Sequence, residues 1–139
     1  MIAQKQLFRH EPDKGIYGDC WRTAIACLLD LPPEDLPHVH GGITTDAEHP
    51  VNDWLAERGL VLLATAFHGE DPMQTILDAV SACNKGVRFL FSGTSRTGCN
   101  HVVIAQDGKI IHDPSLTDAG IIGPCDDGYW WVNFIGRRV

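Results

Sequence analysis

The dipeptide Asp107-Gly108 constrains this chain more than any other feature. It lies between two apolar runs, His101-Val-Val-Ile-Ala105 and Lys109-Ile-Ile-His112. Asp-Gly readily takes the positive backbone angles of a tight hairpin turn, so the flanking runs are predicted to pair as antiparallel strands. A turn there sets His101 across from Asp113 or its neighbour. Imidazole and carboxylate would then share a face, where the carboxylate can fix the tautomer of a catalytic histidine and stabilise its imidazolium. A one-residue slip would turn them to opposite faces. His112, adjacent to Asp113, is the rival histidine, and strand alternation does not choose between them. Asp113-Pro114-Ser115 also reads as a turn whose carboxylate bonds its own backbone.

Upstream the texture is helical. Cys20 to Leu29 reads as an amphipathic helix, with Ala24, Cys27 and Leu28 on one face. Gly18-Asp19 offers a start with Asp19 as N-cap, and Pro32-Pro33 a stop. A second helix is expected from about Asp46 to Arg58, ended by Gly59. Leu60 to Phe67 reads as a strand, and a third helix runs from Pro72 or Met73 to Ala82. Strands are expected at Val87–Phe91, His101–Ala105, Lys109–His112 and Trp130–Ile135. Helices early and strands late predict an α+β fold, with N-terminal helices packed on a C-terminal antiparallel sheet. No repeat or linker divides the chain, so residues 1–139 are expected to form one domain.

Charge narrows the function. Eleven Lys and Arg stand against 18 Asp and Glu, a formal charge of −7. Only Arg137-Arg138 concentrates positive charge, which disfavours nucleic acid as a partner. No apolar run has the length of a membrane span, and the first residues have no signal-peptide stretch, so no membrane role and a cytoplasmic location are expected. Five scattered cysteines are read as free thiols in a reducing compartment.

Among those thiols Cys20 is the candidate nucleophile. It opens the best-defined helix, where unpaired N–H groups and the helix dipole favour a thiolate. Asp19 works against this, being a second negative charge next door. The bland reading is a small thiol in the core, and Cys27, two turns on, is read that way. Other signals are weaker. Gly93-Thr-Ser-Arg-Thr-Gly98 has the glycines of a phosphate loop but lacks its lysine; it reads as a connection to His101, or a lid. Cys99-Asn-His101 and His38-Val-His40 lack zinc-site spacing, so neither a metal nor a cofactor is expected. Trp54, Trp130 and Trp131 are candidates for a cleft wall, with core packing as the default.

Taken together, Tyr17-Gly18-Asp19-Cys20-Trp21 and the helix after it, His101-Val-Val-Ile104 and Ile111-His-Asp113-Pro-Ser115 resemble papain-like cysteine peptidases. The likeness is to small bacterial and phage members and, more distantly, to the peptidase domains of bacteriocin exporters. It spans nearly the whole chain. It implies a papain-like fold and a thiol-dependent hydrolase acting on a peptide or protein substrate, with Cys20 as nucleophile, His101 as base and Asp113 as orienter. It also implies an upstream glutamine that helps hold the oxyanion. The usual position, six residues before the nucleophile, is Lys14 here, a departure from the pattern; Gln6 is the preferred glutamine and Gln4 the alternative. Only 81 residues separate Cys20 from His101, against about 130–150 in papain and the cathepsins. A shallow cleft with few subsites would follow. Acyl transfer and deamidation share the same triad, and a non-catalytic papain-like binding module is the alternative outside catalysis. The phage likeness suggests phage–host biology by association alone.

Overall fold

The computed structural model describes residues 1–38 and 49–139. Helix α1 spans Cys20–Leu29 and stops where Asp30 turns left-handed, its N–H bonding the carbonyls of Ala26 and Cys27. Helix α2 spans His49–Ala56, so the expected start at Asp46 lies outside the described residues. Strand β1 (Leu60–His68) follows, then α3 (Met73–Cys83), β2 (Phe89–Thr94), β3 (Asn100–Gln106), β4 (Lys109–His112) and β5 (Tyr129–Arg137). The five strands form one antiparallel sheet in the order β1-β5-β2-β3-β4. The architecture is mixed α/β.

Alternation along β2 and β3 separates two cores, because successive side chains face opposite sides of a sheet. Leu90, Val102 and Ile104 pack with Ala24, Ile25 and Cys27 of α1 and with Val51 and Leu55 of α2. Phe89, Phe91, Val103 and Ala105 pack with Ile76, Leu77 and Val80 of α3. The sheet is thus the middle of three layers. Helices packed on an antiparallel sheet are the expected arrangement, here with helices on both of its faces. β1 precedes α3 in the chain and pairs with β5, and α3 covers the face opposite α1.

The Asp107-Gly108 hairpin forms with positive φ at both residues, 50° and 78°, the pattern of a type I′ turn. Its register is not the simple one expected. Gln106 pairs with Lys109 and Ala105 with Ile110, but Ile104 pairs with His112. Ile111 is therefore an extra residue, a bulge, and β4 ends before Asp113. The Gly93–Gly98 segment is no open lid. β2 continues through Thr94, and a tight turn follows in which Ser95 bonds Cys99 and Gly98 bonds Ser95. Arg96 ties that turn to the carbonyls of Asp118 and Ala119.

Candidate active site

Cys20 stands at the first position of α1 and is half-buried. Asp19 occupies the N-cap position but makes no side-chain cap, which corrects the capping expectation. Its carboxylate, fully buried, accepts the Phe8 N–H at 2.9 Å and pairs with Arg22 Nε at 3.1 Å. Arg22 also donates to the Leu36 carbonyl. With the cap withheld, the first N–H groups of α1 receive no bond from the Asp19 side chain, and such a helix end draws negative charge. The arginine also offsets the negative charge beside Cys20.

His101, the second residue of β3, is buried, and its Nε2 lies 2.6 Å from Asp113 Oδ1. Asp113 sits beyond the end of β4, so cross-strand pairing does not make this contact. The turn after the strand makes it. Oδ1 also accepts the Ser115 N–H at 2.8 Å, and Oδ2 accepts the Gly120 N–H at 2.9 Å. The turn reading and the histidine-partner reading of Asp113 therefore both hold.

Burial opposes the charged form of His101, but the hydrogen bond to the Asp113 carboxylate and the neighbouring Cys20 sulfur outweigh it and raise its pKa to about 9. Burial likewise disfavours the Asp113 carboxylate. The hydrogen bond to His101 and the two backbone donors prevail and lower its pKa to about 2. An acid and a base pushed apart in this way are a signature of functional sites. With Nε2 committed to Asp113, Nδ1 is the ring nitrogen available to the thiol.

The other candidates are distributed as follows. His112 Nε2 donates to the Gln4 carbonyl at 2.6 Å, so the rival histidine holds the amino-terminal segment. Gln4 Nε2 donates to the Leu31 carbonyl, and its N–H meets the Cys27 thiol near the far end of α1. Lys14 pairs with Glu11. Gln6 is buried, its N–H donates to the Pro114 carbonyl, and its Nε2 donates to the Phe8 carbonyl at 2.5 Å. A methyl group added at Gly18 would lie 3.4 Å from Gln6 Nε2, so that amide is beside Gly18, two residues before Cys20 in the chain. An amide nitrogen has two N–H donors, and the bond to Phe8 uses one.

Cys27 is buried in the α1 core, where burial raises its pKa. Cys125 is pushed up to about 12 by burial and by Asp127 and Asp126. The tryptophans are engaged elsewhere: Trp130 stacks on Phe91, Trp131 donates to Asp127, and Trp54 lies under the Arg58 guanidinium. Among the described residues no three His, Cys, Asp or Glu side chains converge as a metal site; His40 and the side chain of His49 lie outside them. No helix among them is long and apolar enough to cross a membrane. Sequence reasoning missed Arg22, Phe8 and the Gly120 N–H. Only Arg22 had a local signal, its i,i+3 spacing from Asp19.

Comparison with family models, with curated proteins and with solved structures finds no match for this chain.

Proposed function

We propose that this chain is a papain-like, thiol-dependent hydrolase of a peptide, isopeptide or other amide bond, working in the cytoplasm on a peptide or protein substrate. The observation that carries the reading is His101, which bonds the Asp113 carboxylate through Nε2 and interacts with the Cys20 thiol at the uncapped start of α1.

The chemistry follows from that order. Cys20 Sγ, having passed its proton to His101 Nδ1, whose ring pKa is raised to about 9, attacks the substrate carbonyl carbon. The carbonyl oxygen becomes an oxyanion, held by the Cys20 N–H and the second N–H of Gln6. The C–N bond then breaks, and the leaving amine takes the proton from His101. A thioester on Cys20 remains. Water, deprotonated by His101, attacks it and frees the thiol and the carboxylic acid. An amine in place of water gives acyl transfer; a glutamine side chain as substrate gives deamidation.

Peptide, isopeptide and glutamine substrates screened against wild type and Cys20→Ala test the reading. Turnover lost in Cys20→Ala, with binding kept, supports it. A ligand bound equally by both proteins and turned over by neither identifies a binding module instead.

A further inference from the structure

We propose that Asp19 is a positioning residue for the oxyanion donor of Gln6, acting through the main chain of Phe8. The proposal rests on the thiol-hydrolase reading and goes beyond it, because that reading gives Asp19 no task.

The path is continuous. Arg22 Nε holds Asp19 Oδ2 at 3.1 Å, and Asp19 Oδ1 accepts the Phe8 N–H at 2.9 Å. The Phe8 carbonyl in turn accepts one N–H of Gln6 Nε2 at 2.5 Å. Both main-chain polar groups of Phe8 are thereby bonded, its N–H to a buried carboxylate and its carbonyl to the Gln6 amide. The carboxylate has 0% side-chain exposure, and a buried ionised group persists only where every lone pair and counter-charge is met. Here one carboxylate oxygen serves the Phe8 N–H in the segment that carries Gln6 and the other serves the Arg22 side chain, not the main-chain N–H groups of α1.

Two further contacts locate that segment. Gln6 N–H bonds the Pro114 carbonyl, next to Asp113, and Gln6 Nε2 lies beside Gly18, 3.4 Å from where a Cβ would stand. The amino-terminal segment therefore joins the acid loop to the start of α1. In the proposed role, the side chain of Asp19, the residue preceding Cys20, is the tie. A charge-assisted bond from a rigid helix start tolerates less drift than a neutral one, and oxyanion donors lose effect with small displacements.

The test compares two reactions of Cys20. Acylation by p-nitrophenyl acetate passes through an oxyanion, whereas alkylation by iodoacetamide does not. Gln6→Ala is expected to lower the ratio of acylation to alkylation about 100-fold. The double variant Asp19→Ala/Arg22→Met, which leaves no lone buried charge, is expected to lower it about tenfold, with alkylation within about twofold of wild type. Asp19→Asn, which keeps an acceptor for Phe8 but loses the charge, should fall between wild type and the double variant. That variant also serves if the double variant fails to fold. A wild-type ratio in either Asp19 variant, with Gln6→Ala reduced, overturns the proposal. If wild-type Cys20 alkylates no faster than the same cysteine in His101→Ala, the hydrolase reading itself fails and the role of Asp19 falls with it.

Discussion

The two sides of the site are built on different principles. On the sheet side, His101 and Asp113 are held by charge, the carboxylate gathering an imidazole and two backbone N–H groups. On the helix side, Cys20 stands at a helix start whose natural cap has turned away to serve the Phe8 N–H and Arg22. One side collects donors around an anion; the other withholds the Asp19 carboxylate from the helix donors it precedes. The difference teaches where each pH-dependent and each geometric effect should appear. Sheet-side changes should alter proton chemistry, and helix-side changes should alter stabilisation of developing charge.

Removing the nucleophile has the largest expected effect. Cys20→Ala should abolish acyl-enzyme formation, read by intact-protein mass spectrometry after p-nitrophenyl acetate. His101→Ala comes next, lowering the acylation rate by about 10²–10⁴, measured as the initial release of p-nitrophenolate.

Asp113→Asn sharpens the comparison through pH. Because the pKa of His101 is raised from 6.5 to about 9, its contribution to stability is complete below pH 6.5 and is lost as pH rises through about 9. Because the pKa of Asp113 is lowered from 3.8 to about 2, its contribution is complete above pH 3.8 and is lost as pH falls through about 2. Urea unfolding should therefore separate wild type from Asp113→Asn most widely between about pH 4 and 6.5, with the gap closing on either side. A gap independent of pH would remove the ion pair from the account.

Gly18→Ala probes the helix side more gently. Its added methyl would meet His10 Cβ at 3.0 Å and Gln6 Nε2 at 3.4 Å, so acylation should fall severalfold while iodoacetamide alkylation stays near wild type. His112→Ala should be smallest for chemistry. It leaves the Gln4 carbonyl without its 2.6 Å donor and should cost about 1 kcal/mol of stability, with Cys20 acylation unchanged.

Local signals were legible and long-range ones were not. The bounds of α1 and of β4 follow from Gly18-Asp19, Pro32-Pro33 and Asp107-Gly108, because those residues act on their own backbone. The bulge at Ile111 left no mark in the sequence: Ile110 and Ile111 are both apolar, and both end up exposed. The predicted neighbourhood of His101 and Asp113 appears in the fold, but through a turn and not through strand register. Asp19 looked like a cap because a cap needs only local geometry. Its partner Phe8, eleven residues away, comes into reach only when the amino-terminal segment has docked. The same docking separates Gln6 from Gln4, two residues whose local sequence surroundings are nearly alike. The placement of α3 on the far face depends on β1 pairing with β5, a contact between distant parts of the chain.

The coupling of Cys20 to His101 is tested most directly by iodoacetamide labelling across a pH series, read by peptide mass spectrometry at all five cysteines, in wild type and His101→Ala. Cys20 should label faster than Cys83, Cys99 and Cys125 at pH 7, and His101→Ala should erase that lead. A Cys20 that labels no faster than exposed Cys83, or that keeps its lead without His101, would contradict the coupling on which the hydrolase reading stands.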